Sequence, residues 1–154
     1  MQHIKQQTPY DCKLAVIAML RDLPLFYVEQ IVCSLLGIKK WSEAVFSPPL
    51  FYRGIELLYN RFNLTGLMIT LQDINDRFSA TPLNCLPDNL SNKGEIIVYR
   101  LTSSCGHAVA FENNMIYDPA DYWPMSKEQW FDNHKHHQPF QLIPFELKQL
   151  SNML

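Results

Sequence analysis

The chain has 154 residues, 47% hydrophobic and 18% charged, with a formal net charge of −2 and an isoelectric point near 6.2; length and composition suit one globular domain over residues 1–154. That balance lacks the basic footprint of nucleic-acid binding, and no run of Lys and Arg marks an acidic partner. The stretch Met1-Gln2-His3-Ile4-Lys5-Gln6 has no apolar signal core, and no later run approaches the roughly 18 apolar residues of a membrane span, so neither signal-directed export nor membrane insertion is expected.

Four cysteines, Cys12, Cys33, Cys85 and Cys105, are widely spaced without a CxxC pair. In a chain large enough to fold without staples they read as reduced thiols in a cytoplasm, although a secreted effector without a cleaved signal carries the same features.

Taken in order, residues 6–20 run from a polar lead-in, Gln6-Gln7-Thr8-Pro9-Tyr10-Asp11, into an apolar helix. Pro9 and Tyr10 keep the approach extended, Asp11 is a preferred N-cap, and Leu14, Ala15, Ile17, Ala18 and Met19 recur at helical spacing. Cys12 therefore opens the first turn, where unpaired N–H groups and the positive end of the helix dipole favour a thiolate. A buried Cys is more often an inert apolar filler, so the assignment needs partners elsewhere.

A second helix is expected over Leu25–Leu36, stopped by Gly37, with Cys33 as core. Residues 38–49, with Ser47-Pro48-Pro49 at their end, read as a loop into a third helix over 50–61. Residues 63–70 are strand-rich, 72–78 suit one or two helical turns, and 81–92, which hold Cys85, read as an exposed loop. From Lys93 the pattern turns to strands at 94–101, 107–112 and 115–119, then a capped helix opening at Ser126-Lys127-Glu128-Gln129, and a last strand over 138–144. Helices first and sheet afterwards spell α+β.

Asn113-Asn114 reads as a two-residue hairpin turn, since Asn tolerates positive φ. Counting outward from Glu112 opposite Met115 sets Asp118 opposite Val109, diagonal to His107 on one face and roughly 7–8 Å away. An imidazole so placed can be oriented and stabilised as a cation by the carboxylate, and with Cys12 this makes a Cys-His-Asp nucleophilic set. Asp121 and Asp132 are the alternative acids. Cys105 with His107, His134, His136 and His137 lacks zinc-like ligand spacing, so neither metal nor cofactor is expected. The run His134-Lys135-His136-His137 reads as a solvated loop, and Trp41, Trp123 and Trp130 as core or as cleft walls.

These residues carry a family resemblance. Gln6-x-x-x-x-Asp11-Cys12-x-x-Ala15-x-Ile17-x-Met19, then Gly106-His107 and Asp118-Pro119, resembles the papain-like cysteine peptidases that remove double-glycine leaders from bacteriocin precursors. The resemblance implies N-terminal helices, with the nucleophile at the start of the first, packed on an antiparallel sheet that carries the His and Asp. It implies Cys12 as nucleophile, His107 as general base and acid, Asp118 as its orienter and Gln6 as oxyanion donor. Its bacterial or phage flavour comes from the resemblance alone. Lys13 stands where that family usually has Gly, and the transmembrane and ATPase parts that follow transporter-fused members are not in this sequence. The expected activity is peptide-bond hydrolysis in a protein or peptide substrate. Glutamine deamidation or acyl transfer uses the same thiol and imidazole, and a catalytically dead peptide-binding module is the non-enzymatic reading, against which the joint presence of the four residues argues.

Overall fold

Lys13 through Leu20 are all buried, which makes α1 (Cys12–Arg21) the element on which the helical half packs. A helix apolar on nearly every side belongs in the middle of a core. The computed structural model describes residues 1–65, 93–100, 106–134, 137–144 and 146–147, with main chain alone at 65, 99–100, 137–144 and 146–147. The expectations for 66–92, for Cys85 and Cys105 and for His136 lie outside the described residues.

Around α1 lie α2 (Leu25–Leu36), α3 (Ser42–Val45) and α4 (Pro48–Arg61). As expected, α2 stops at Gly37, whose φ of 70° lets its N–H and that of Ile38 return to the carbonyls of Ser34 and Cys33. Two boundaries differ from the sequence reading. The loop over 38–49 contains α3, because Glu43 accepts the N–H groups of Lys39 and Lys40 at 2.8 Å each and so nucleates a turn. Helix α4 begins at Pro48 rather than 50, since proline at the first helical positions lacks only an N–H that would go unpaired there. At its other end Arg21 donates to the carbonyls of Phe62 and Asn63, at 2.7 and 3.0 Å, fixing the end of α1 on the end of α4.

The second half is a five-stranded antiparallel sheet of β2 (Gly94–Arg100), β3 (Gly106–Glu112), β4 (Met115–Tyr117), β5 (Met125–Ser126) and β6 (His137–Pro144), ordered β5-β4-β3-β2-β6. A separate two-stranded pair joins β1 (Leu64–Thr65) to β7 (Glu146–Leu147). Alternation along β2 and β3 splits the core: Ile97, Ala108 and Ala110 face the helices, whereas Ile96, Val98, Val109 and Phe111 face Trp130 of α5 (Lys127–Asn133). The fold is therefore α+β, with helices on both faces of the sheet. Ser126 caps α5 by accepting the N–H of Gln129, as the capping-box pattern predicts.

The turn at Asn113 and Asn114 has φ of 52° and 63°, the left-handed pair a tight hairpin needs. Glu112 lies opposite Met115 and Ala110 opposite Tyr117, the predicted register. The ladder ends there, one residue before Asp118.

Trp41 is fully buried, so of the two readings offered for it the core one holds, and its indole N–H donates to the carbonyl of Tyr10 at 3.2 Å. That bond fixes the chain two residues before Cys12. Gly54 of α4 makes room for the indole: a Cβ there would stand 2.9 Å from both Trp41 Cζ3 and Leu36 Cδ1. Gly54→Ala is accordingly expected to destabilise by about 1–3 kcal/mol through overpacking. Urea unfolding checks this, and a wild-type midpoint would contradict the packing described.

Candidate functional site

The approach to α1 satisfies itself. Asp11 accepts the N–H groups of Gln7 and Thr8, at 3.3 and 3.1 Å, and the Thr8 hydroxyl at 2.9 Å. Its carboxylate therefore points back into the lead-in and, contrary to the sequence expectation, makes no side-chain cap on α1. The physical reason is competition: a carboxylate three residues after a turn reaches those amides as readily as the helical ones. The first turn, with Cys12 half-buried in it, keeps its N–H groups for other acceptors.

Residues before that loop bind the segment that follows β4. The N–H of Gln6 donates to Pro119 O at 2.8 Å, His3 Nε2 lies 2.8 Å from Asp118 O, and Lys5 Nζ reaches Ala120 O at 3.2 Å. This strap brings the first turn of α1 against β3 beside His107 and Ala108. Of β3, strand β4 pairs with Ala110, Phe111 and Glu112, and the Ala108 backbone N–H, beyond that ladder, is left to hydrogen-bond the Cys12 sulfur.

His107 joins the two halves chemically. Its Nε2 lies 2.6 Å from Asp118 Oδ1, which leaves Nδ1 as the ring nitrogen for the hydrogen bond with Cys12. Asp118 is buried and used on both oxygens: Oδ1 also accepts the Ala120 N–H at 2.9 Å, and Oδ2 accepts the Trp130 indole N–H at 3.1 Å. His134 stacks on Trp130, with Nε2 3.4 Å from Asp118 Oδ2 and Nδ1 2.7 Å from Trp130 O. It is not the solvated loop residue expected from its sequence. Trp130 and His134 stand four apart on one helical face, the spacing that could have flagged them.

The charges follow from these contacts. Burial alone would raise the Cys12 thiol, yet the hydrogen bond and charge of His107, the Ala108 N–H and the charge of Lys13 together bring it below its ordinary value. Burial would lower His107, but its bonds to Asp118 and Cys12 and their charges push it up to about 10. Asp118, against its own burial, is held at about 2 by His107, with the Ala120 and Trp130 N–H groups adding to that. A thiolate–imidazolium pair with a carboxylate behind it is the form these shifts favour. Cys33, by contrast, is pushed up by burial and by Glu29 and Glu43.

Gln6 is close in the chain but differently engaged. Its Nε2 donates to Thr8 O at 2.9 Å, which uses one of two N–H bonds, while Oε1 is buried without a hydrogen-bond partner among the described residues. Of the alternative acids, Asp121 lies beside Asp118 and is raised by its own burial and by that charge, which the charges of His134, His107 and His3 only partly offset, and Asp132 is exposed. Asp118, Asp121 and His134 offer ligand atoms within 4.8 Å of one another, but Asp118 is already committed to His107 and Trp130. Trp123 is 65% exposed, and it packs against Tyr122 rather than in the core. No helix of the described residues is long and apolar enough to cross a membrane.

Compared with protein-family models and with curated protein sequences, the chain matches none.

Two outcomes are expected. Iodoacetamide at pH 7 should label Cys12 ahead of Cys33, read by peptide mapping; preferential labelling of Cys33 would contradict the ionisation described. The second concerns stability. His107, raised from 6.5, contributes stability that is complete below pH 6.5 and lost as pH rises through about 10. Cys12, depressed from 9.0, contributes stability present above pH 9.0 and lost as pH falls through its lowered folded value. From the lowered Cys12 value up to 9.0 the two slopes oppose each other. Cys12→Ser removes the offset, so its urea midpoint should fall with pH across that window while the wild-type midpoint holds. Parallel curves would contradict the ion pair.

Proposed function

We propose that the protein is a papain-like cysteine hydrolase that cleaves a peptide bond in a protein or peptide. The observation that carries this reading is the single file of Cys12, His107 and Asp118, with the imidazole bonded on both sides. An inert core thiol needs no imidazolium beside it. The family resemblance at Gln6, Cys12, His107 and Asp118 supports the same reading.

In this mechanism the Cys12 thiolate attacks the scissile carbonyl carbon. The oxyanion that forms accepts the Cys12 backbone N–H at the uncapped helix start and the second N–H of Gln6 Nε2. His107 gives its proton to the leaving amine as the C–N bond breaks, which leaves an acyl-thioester on Cys12. It then takes a proton from water as the water attacks the thioester, and the carboxylate product departs with the thiolate restored. Asp118 keeps the ring aligned and stabilises its charge without itself becoming protonated.

The test is incubation of wild type and Cys12→Ala with a mixed peptide library, with hydroxylamine added to trap the thioester. Paired fragments and hydroxamates are expected from wild type alone. Gln6→Ala should slow turnover roughly 100- to 1,000-fold, the usual loss of one oxyanion donor. His107→Ala combined with Asp118→Ala should be no slower than His107→Ala alone, because triad members act as a unit. A one-dalton gain on glutamine without chain cleavage would replace hydrolysis of the backbone by deamidation. Absence of both products, with unmodified Cys12, would leave a peptide-binding module.

A further inference from the structure

Lysine immediately after a nucleophile at a helix start would ordinarily reach into water. Here Lys13 is 5% exposed and turned inward, between α1, α4 and β2. Its Nζ lies 2.5 Å from Glu95 Oε1 and 2.8 Å from the Tyr59 hydroxyl, which in turn donates to the same Glu95 oxygen at 2.8 Å. Glu95 is 0% exposed, and its Oε2 has no hydrogen-bond partner among the described residues. A carboxylate so enclosed loses its counter-charge if Lys13 changes, and a lysine so enclosed keeps its proton chiefly because Glu95 is there.

We infer that Lys13 is a positioning residue for Cys12, a buried ammonium held by Glu95 and Tyr59 whose field, acting through the protein interior, stabilises the thiolate. Lys13 follows Cys12 directly in the first turn of α1 and is buried, and a buried charge is screened less than one in water. The charged groups that act on Cys12 are His107 of β3 and Lys13 of α1; those that act on Lys13 are Glu95 of β2 and Cys12, and its ammonium also donates to the Tyr59 hydroxyl of α4. Burial raises the Cys12 thiol, and His107 and then Lys13 draw it down; burial pulls the Lys13 ammonium below its ordinary value, and Glu95 and then Cys12 draw it back up, so the coupling is reciprocal. Glu95 is thus a remote determinant of nucleophile charge, although its contacts are with Lys13 and Tyr59.

The inference rests on the proposed role of Cys12 but is read without any substrate. The measurement is the ultraviolet thiolate absorbance of the full chain against pH, each protein being referenced to its own Cys12→Ser counterpart. Lys13→Met and Lys13→Met/Glu95→Gln are the variants. The double variant leaves no orphaned charge and keeps the fold measurable if Lys13→Met alone unfolds. In both, thiolate formation should move to higher pH than in wild type, and the double variant should do so while its melting transition recovers relative to the single. A folded double variant that ionises Cys12 like wild type would overturn the inference and reduce the Lys13–Glu95 pair to a strut between α1 and β2. A wild-type protein that cleaves no peptide yet shows these shifts would leave the inference standing and overturn only the proposed hydrolysis.

Discussion

The carboxylate of Asp118 is the constraint on which the site depends. It is a buried anion, and a buried anion persists only if each oxygen is answered. Two backbone facts place it: the left-handed turn at Asn113 and Asn114 sets the register, and the ladder ends at Tyr117, so that Asp118 leaves the strand. Its answers come from His107, the Ala120 N–H and the Trp130 indole, three different segments of chain. Orientation of the imidazole is a by-product of satisfying that charge, and the charge of the thiol at Cys12 follows from the imidazole.

The helical half supplies the other side through a series of small fixings. Gly54 admits Trp41, Trp41 holds the Tyr10 carbonyl, and the Asp11 carboxylate ties up the lead-in, which leaves the start of α1 without a side-chain cap. A cap would have satisfied the N–H groups that, in the proposed hydrolysis, an oxyanion would use. The strap of His3, Lys5 and Gln6 along residues 118–120 then closes the gap between the two halves.

Much of this was legible in residue order because it rests on local rules. Helical spacing, the Gly37 stop, the Asn113-Asn114 turn and the Ser126 cap each depend on a few neighbouring residues, and the hairpin register carried His107 and Asp118 together by simple counting. What escaped is of two kinds. That Asp11 would fold back on Thr8 is a local choice between two equally near sets of amides, whereas the inward turn of Lys13 to Glu95 and the closing of Trp130 and His134 over Asp118 are decided by which surfaces meet across the sheet. Single residues do not announce such meetings. The departure at Lys13, visible as a charged residue inside an apolar helix, was the one sequence signal of the buried network behind Cys12.

The protonation state of His107 decides whether the ion pair exists. The direct measurement is the nitrogen chemical shift of its imidazole, followed by NMR with selectively labelled histidine in wild type and in Cys12→Ser. A thiolate partner and the Asp118 carboxylate together should keep the ring an imidazolium well above neutrality in wild type, with the proton lost at lower pH once the sulfur is gone. A neutral His107 ring at pH 7 in the wild-type protein, with no change on replacing Cys12, would contradict the ion pair and the nucleophile built on it.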